Sequence, residues 1–412
     1  MRHRSLLILT AVLTTGALTL TACGSRDDDK KSSGGGSKTT VVIGMDAPLS
    51  GDLSAIGLGI KNSVHLAAKI ANKNKEVPGV TFKTEPLDDV SNASTGGQNA
   101  TKLVGMKDVL GVVGPLNSNV AQSMQKTFDS AHLAVISPAN TNPTLTQGTN
   151  YLKTKQRPFD SYFRTATTDA LQGPFAAQYA YNQLKLKKVY VIDNKLTYGA
   201  GLAQTFRDEF KKLGGKVVAS DHINKDDRDF GAISTKVKNS GADFVYFGGE
   251  YPNGAPLSKQ IKDAGAKIPV IGGDALQSAD YVKLAGSAAN GDFATSVGAP
   301  VAKLDTAKKF IADYKAAGYK EPYETYGGLS YDAAWAVIQA VKSVVAKNDG
   351  KLPSDFNEAR KQITEATQKV SFNGVTGQVS FDKYGDTTNK TLTVYQVKKG
   401  QIVPVKTGEL EQ

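Results

Sequence analysis

The chain has 412 residues, with 50 Lys and Arg against 39 Asp and Glu and a formal net charge of +11. Its single cysteine excludes an internal disulfide framework. The lysines are spread along the sequence, and no dense basic block is interleaved with aromatic residues, as a nucleic-acid-binding surface would require. A solvated surface accounts for the charge more economically, and we predict no nucleic-acid partner.

The amino terminus has the pattern of an export signal. Arg2 and Arg4 precede an uncharged apolar stretch over residues 6–20, which is typical of a secretory signal peptide and too short to span a bilayer comfortably. The next residues, Leu-Thr-Ala-Cys ending at Cys23, resemble the lipobox of bacterial lipoproteins, in which the cysteine is acylated and becomes the mature amino terminus. We therefore predict a signal peptide over residues 1–22 and attachment to the extracytoplasmic face of the cell membrane through Cys23.

After cleavage of the signal peptide, the predicted mature protein is a positively charged globular part that follows a flexible segment. Loss of residues 1–22 removes two arginines and no acidic residue, so the net charge of +11 becomes +9. The stretch from Ser25 to Lys38 is polar and glycine-rich, and it cannot bury enough apolar surface to fold. We predict a flexible tether over residues 23–39 with a root-mean-square span of roughly 20 Å.

The rest of the chain alternates between short apolar runs and segments of helical period. About 370 residues are more than a single core usually holds, which predicts two domains. The alternation predicts an α/β fold with doubly wound parallel sheets. The apolar runs with the length and β-branched content of buried strands cover residues 41–45, 80–82, 109–113, 133–136, 189–192, 217–219, 244–247 and 270–271.

The last eighty residues change character. Long helices are predicted over residues 329–347 and 354–367. Glycine-punctuated segments at 372–386 and 391–405 then predict hairpins.

Seven segments, from Thr40 to Asp386, resemble one family in its own order. They are VVIGMDAPLSGDLSAIG, GVVGPLNSNVAQSM, VISPANTNPTLT, FRTATTDALQGPFAAQYA, VIDNKLTYGAGLA, DFVYFGGEYP and GVTGQVSFDKYGD. The family is the periplasmic-binding-protein type I group, typified by the leucine/isoleucine/valine-binding proteins of ABC importers. This resemblance implies two doubly wound lobes joined by three hinge crossings, with the ligand in the cleft between them. One lobe would take residues 40–169 plus 298–372, and the other 170–297 plus 373–412.

The first lobe offers an anion site. Asn117 and Ser118 follow a predicted strand and begin a helical pattern, and a helix amino terminus presents unpaired N–H groups and a positive dipole end to a carboxylate. Ser118 resembles the family's carboxylate-binding serine; as a residue type it is also an ordinary N-cap. Ala139 and Thr141 match family positions that contact the ligand headgroup, although SPANTNP by itself reads as a turn.

The second lobe offers residues that could bind the ammonium group of the same ligand. Tyr198 lies at the start of a predicted helix, where its ring can cover a ligand and its hydroxyl can donate a hydrogen bond. Asp274 matches the family's acidic partner for an ammonium group and could bind it with a charge-assisted bond; its alternative role is a helix N-cap before residues 278–284.

Four positions depart from the branched-chain pattern. Ile56 stands where an aromatic residue is typical, Glu250 where tyrosine is, Asn117 where a cysteine can occur and Tyr326 where phenylalanine does. A glutamate in the cleft would favour a ligand with more positive or hydrogen-donating character than leucine. Equally, Glu250 could point to solvent and Tyr251 could take the aromatic role.

The predicted function is a monomeric binding protein that presents an amino acid, branched-chain or related, to ABC permease subunits. Two alternatives keep the fold: a small amide, urea-type or other polar ligand, or an extracellular sensor. An enzyme is disfavoured because the four histidines share no motif with a nucleophile, and because G-x-S-x-G, HExxH, Walker and CxxC patterns are missing from the sequence. We predict no cofactor, no metal site and no catalytic residue.

Overall fold

A computed structural model describes residues 39–411. The predicted signal peptide, Cys23 and almost all of the predicted tether lie outside this range. The strands of the described part are β1 Thr39–Ala47, β2 Val80–Asp88, β3 Val109–Val113, β4 Val135–Ser137, β5 Tyr162–Arg164, β6 Lys188–Asp193, β7 Lys216–His222, β8 Phe244–Gly248, β9 Val270–Gly272, β10 Phe293–Ser296, β11 Ser371–Gly374, β12 Gly377–Ser380, β13 Leu392–Lys398 and β14 Gln401–Gly408. The α-helices are α1 Ser54–Asn74, α2 Ala93–Gly105, α3 Ser118–Ser130, α4 Thr144–Gln147, α5 Asp169–Gln178, α6 Thr197–Lys212, α7 Gly231–Asn239, α8 Tyr251–Asp263, α9 Ala279–Ala285, α10 Lys308–Ala316, α11 Gly327–Lys347 and α12 Phe356–Thr367.

The first sheet is parallel throughout, in the order β2-β1-β3-β4-β5. Helices cover both of its faces, because successive side chains of a strand point to opposite sides. Along β1, Val42 packs in a cluster with residues of α2 and α3, whereas its neighbour Ile43 packs in the cluster that includes α1 and α11. This sandwich confirms the doubly wound arrangement.

The second sheet runs in the order β14-β13-β10-β9-β8-β6-β7. Its pairs from β10 to β7 are parallel, and β13 and β14 add an antiparallel edge. The chain passes between the two sheets three times: after β5, after β10 and before β13. The predicted α/β fold class is therefore confirmed, and so is the predicted terminal hairpin, now β13–β14.

The short hairpin β11–β12 packs on the first sheet's helices. The N–H groups of Val375 and Thr376 both donate to the Asp332 carboxylate of α11 at 2.8 Å. Further along, Asp386 pairs with Arg164 of β5. These contacts tie residues beyond the predicted lobe boundary at 372 to elements of the first lobe. Within residues 39–411, no helix combines the length and apolar character needed to cross a bilayer.

Candidate functional site

A cavity lies where the carboxyl ends of strands from both sheets face each other. Open α/β sheets place their ligands at this edge. The space between its walls, including the open mouth, is about 330 Å³. Its lining residues are Leu53, Ile56, Leu116, Asn117, Ser118, Ala139, Tyr198, Glu250, Asp274, Ala275 and Tyr326.

Eight of the nine predicted ligand-binding residues thus converge on one cavity. Thr141 is the exception, because it is buried beside the cavity but does not line it. Its Oγ1 atom has no hydrogen-bond partner within residues 39–411. The carbonyl oxygen of Thr141 accepts a hydrogen bond from the backbone N–H of Asp169 at 2.8 Å.

The first wall is built around the start of α3. Ser118 is the first residue of this helix, and Asn117 occupies the cap position without a capping hydrogen bond from its side chain. The alternative role of Ser118 as the N-cap is therefore wrong. The N–H groups of the first helical turn have no partners inside the helix, and the helix dipole adds partial positive charge there. This wall can accept an anionic headgroup.

The loop after β4 is held rigidly against this wall. Ser137 Oγ donates to the carbonyl oxygen of Pro115 at 2.8 Å and accepts from the N–H groups of Ala139 and Asn140 at 3.2 and 2.9 Å. The Asn140 side chain donates to the Leu116 carbonyl at 2.7 Å. Ala139 is thereby fixed at the cavity surface.

A buried arginine completes the support of this loop. Arg164 is fully buried, and its guanidinium donates to the carbonyls of Asn140 and Asn142 at 3.1 and 2.8 Å, and also to Thr146 Oγ1. Its Nε atom pairs with Asp386 Oδ1 at 2.6 Å. This ion pair holds the pKa of Asp386 below its usual value, even though burial opposes that shift. One side chain therefore holds the loop through two of its backbone carbonyls.

The second wall begins at the close contact between α6 and β8. A Cβ atom on Gly199 would lie 2.3 Å from the carbonyl oxygen of Gly248, and one on Gly248 would lie 2.1 Å from that of Gly199. Only glycine at both positions allows this approach. It brings Tyr198, at the start of α6, and Glu250, directly after β8, to the same cavity wall.

Asp274 lies at the centre of the second wall. Its Oδ1 atom accepts from Gln172 and the Tyr198 hydroxyl at 2.9 and 2.8 Å, and its Oδ2 atom accepts from the Tyr326 hydroxyl at 2.6 Å. Burial raises the pKa of Asp274, and these hydrogen bonds oppose the rise. The cap of α9 is Ser278, so the alternative role of Asp274 as an N-cap is wrong.

A third carboxyl group lies behind Asp274. Gln172 donates to both Asp274 and Asp169, at 2.9 and 3.0 Å. Burial, together with the charge of Asp274, raises the pKa of Asp169 to about 8. At neutral pH Asp169 is therefore mostly protonated. The hydrogen bonds that Asp274 accepts favour its ionised form.

Glu250 points into the cavity. Its Oε2 atom accepts from Asn194 at 2.5 Å, and its Oε1 atom lies 3.4 Å from the side-chain nitrogen of Asn117. Burial raises its pKa to about 6, so it remains mostly ionised at neutral pH. Tyr251 points elsewhere, with its hydroxyl bonded to the carbonyl of Asp52 at 2.6 Å.

Sequence reasoning missed several residues of the site. Gln172 and Asn194 orient the two wall carboxylates, but amides in helices and loops carry no sequence signal for such a role. The remaining missed residues are apolar members of the lining: Leu53, Leu116 and Ala275.

Direct contacts join the two walls beside the cavity. The Asn142 side chain donates to the Thr197 carbonyl at 2.7 Å, and Thr197 Oγ1 donates to Gln122 at 2.8 Å. On another rim, Arg228 pairs with Asp52 at 2.5 Å. The two sheets are therefore held in a closed arrangement around the cavity.

The fold and cavity are those of a two-lobed binding protein. The sequence family described as periplasmic binding protein matches residues 40–401. The Leu/Ile/Val-binding protein BraC3 of Rhizobium johnstonii is 29% identical over 363 residues, which cover 88% of this chain and 93% of that protein. The Leu/Ile/Val-binding protein homolog 1 of Brucella suis is 30% identical, with 87% of this chain and 91% of that protein covered.

Solved structures agree with these relatives. LivJ of Streptococcus pneumoniae, a branched-chain amino acid transporter substrate-binding protein in complex with isoleucine, superposes with a TM-score of 0.78 at 26% identity, over 90% of this chain and 99% of that one. An ABC transporter solute-binding protein of R. palustris in complex with benzoate shares the fold, with a TM-score of 0.75 at 20% identity over 89% and 96%. The chain belongs to the periplasmic binding protein family.

Proposed function

We propose that this protein is an extracytoplasmic substrate-binding lipoprotein that captures an amino acid in the interlobe cavity and delivers it to the permease of an ABC importer. The observation that carries the proposal is the opposition of two walls with complementary charge. The start of α3 can hold a carboxylate, and Asp274 on the other wall can hold an ammonium group. A zwitterionic headgroup has both. The names of the relatives, which include Leu/Ile/Val-binding proteins, support an amino acid as the ligand class.

The mechanism is ligand-driven closure. Ser118 belongs to one wall, with Thr141 buried beside it, and Tyr198 and Asp274 belong to the other. Only the closed state lets a ligand contact both walls, so the ligand shifts the population toward closure by the difference between its affinities for the two states. Closure of this kind is a hinge motion of two rigid domains. The permease would then recognise the closed shape, and the ligand undergoes no chemical change.

Calorimetric titration of the chain from Ser25 onward tests the ligand class. We expect at least one of the common amino acids to bind in the micromolar range or tighter, which corresponds to about 8 kcal/mol of binding free energy. A second panel of small amides and urea tests the alternative ligand class. Binding only in the second panel would show that the ligand is an amide and not an amino acid. If no compound of either panel binds, the proposal is refuted.

Membrane attachment is tested separately. Replacing Cys23 with serine removes the thiol that acylation requires and, with it, the proposed lipid anchor. We expect the variant to move from the membrane fraction to the soluble fraction of the host. Replacing Ser25 with alanine, two residues away, should leave the protein in the membrane fraction. Retention of the Cys23→Ser variant in membranes would refute the anchor.

An extracellular sensor would use the same cavity and the same closure. Transport and sensing differ in the partner protein that binds the closed state. Capture of the ligand-bound protein with its partner from host membranes distinguishes them, because permease subunits support transport and a signalling protein supports the sensor.

A further inference from the structure

The cavity lining contains one more acidic side chain than the ammonium group of a simple amino acid can pair with. Two lining residues, Glu250 and Asp274, are carboxylates, and the lining includes no Lys, Arg or His. Under the proposed function, on which this inference rests, the ligand's ammonium pairs with Asp274 and its carboxylate binds at the start of α3. Glu250 then remains, buried and with only neutral amides as partners.

The hydrogen bonds of Glu250 are also incomplete. Among the other described residues, only Asn117 donates to its Oε1 atom, at 3.4 Å, well beyond the usual 2.9–3.0 Å of such bonds. The backbone N–H of Glu250 itself also hydrogen-bonds to this carboxylate and lowers its pKa. The Asn117 Oδ1 atom has no partner among residues 39–411, although Asn117 is only 5% exposed. Two acceptors on facing walls are therefore available to a donor between them. Buried acceptors without donors are costly.

The surroundings of this acceptor pair favour a side chain with an apolar stem. Leu53, Ile56 and Leu116 supply apolar surface within the same cavity. Leu53, Asn117 and Glu250 also line an adjoining cavity that opens toward the exterior. The acceptor pair therefore lies where the two cavities adjoin, within reach of a side chain longer than that of leucine.

We propose that the site selects an amino acid whose side chain carries a positive charge at the end of an apolar stem, held by Glu250 and Asn117. A cationic end balances the charge of Glu250 and donates hydrogen bonds to both acceptors. A branched aliphatic side chain does neither, and it leaves a buried carboxylate unpaired. Binding such a carboxylate to an opposite charge is the usual solution in protein interiors.

The test uses pairs of ligands that differ only at the end of the side chain. Lysine is compared with norleucine, which replaces the terminal ammonium by hydrogen, and arginine with citrulline, its neutral analogue. Calorimetric titration of the chain from Ser25 onward should show at least tenfold tighter binding for one of the charged members than for its partner. Leucine and isoleucine are titrated in the same series.

Variants then assign the preference to the acceptor pair. Glu250→Gln should lower the affinity of the preferred cationic ligand at least tenfold and leave norleucine or citrulline within about twofold. Asn117→Ala removes the second acceptor and should weaken the same ligand several-fold. Asp263→Asn is the matched control, because it neutralises an exposed carboxylate at the far end of α8, the helix that Glu250 precedes. Thermal melting of each variant verifies folding.

The outcomes separate this inference from the proposed function. Binding of leucine or isoleucine without binding of lysine or arginine overturns the inference and leaves the proposed function intact. Equal affinity for arginine and citrulline, and for lysine and norleucine, overturns it as well, because charge then plays no part. No binding of any amino acid overturns both.

Discussion

Replacing Arg164 with alanine is expected to destabilise the protein by about 3–5 kcal/mol, the usual cost of breaking a buried ion pair from one side. The substitution leaves the Asp386 carboxylate buried without its cationic partner. It also removes the donors for two carbonyls, those of Asn140 and Asn142. Urea unfolding of the chain from Ser25 onward measures the loss as a shift of the midpoint at constant slope.

An exposed ion pair of the same lobe provides the control. Lys102 pairs with Glu85 at 3.7 Å, and 58% of the Lys102 side chain is exposed. Lys102→Ala should change the free energy of unfolding by at most about 0.5 kcal/mol. The double variant Arg164→Ala with Asp386→Ala should cost less than the sum of the two single changes, since these residues interact directly. A loss below about 1 kcal/mol for Arg164→Ala would contradict the role assigned to this side chain.

Local pattern was enough to predict eight of the ten strands from β1 to β10, but it missed β5 and β10. Strands β3 and β8 are runs of five buried residues, and such runs between helical segments indicate parallel strands covered on both faces. The same pattern fixes which residues follow each strand, and these are the residues that meet at a sheet's carboxyl edge. Strand pattern and chain order therefore place Asn117 at the carboxyl edge of one sheet, and Glu250 and Asp274 at that of the other. That the two edges face each other was implied by the family resemblance and not by the pattern.

Contacts between distant parts of the chain could not be predicted in this way. Arg164 and Asp386 are separated by 222 positions, and no sequence pattern around either residue predicts that they form an ion pair. The choice between Glu250 and Tyr251 depended on the direction of one backbone turn at the start of α8, because successive residues there point in different directions. Helix caps were off by one residue at Ser118, which is the usual uncertainty of helix ends.

Replacing Asp274 with asparagine is expected to weaken the binding of an amine-bearing ligand by more than tenfold. A hydrogen bond to a charged group contributes roughly 1.5–3 kcal/mol, and about 1.4 kcal/mol corresponds to one factor of ten. Asparagine keeps the size of the side chain and one of the two acceptor oxygens, which receive the hydroxyls of Tyr198 and Tyr326, so it tests charge with little change in packing. Asp280→Asn, on the following helix and with a partly exposed side chain, should leave the affinity within about twofold. Unchanged affinity of the Asp274 variant would remove Asp274 from the site.

A second ligand distinguishes direct contact from an indirect effect through the tyrosines. In the α-hydroxy analogue of the bound amino acid, the ammonium group is replaced by a neutral hydroxyl. The wild-type protein should bind this analogue more weakly than the amino acid, whereas Asp274→Asn should bind the two almost equally, because the charge that discriminated between them is gone. Asp274 could instead act by positioning Tyr198 and Tyr326, whose hydroxyls it binds at 2.8 and 2.6 Å. In that case Asp274→Asn should lower the affinity for both ligands by the same factor. The ratio of the two affinities, measured by calorimetry in both proteins, decides between these roles.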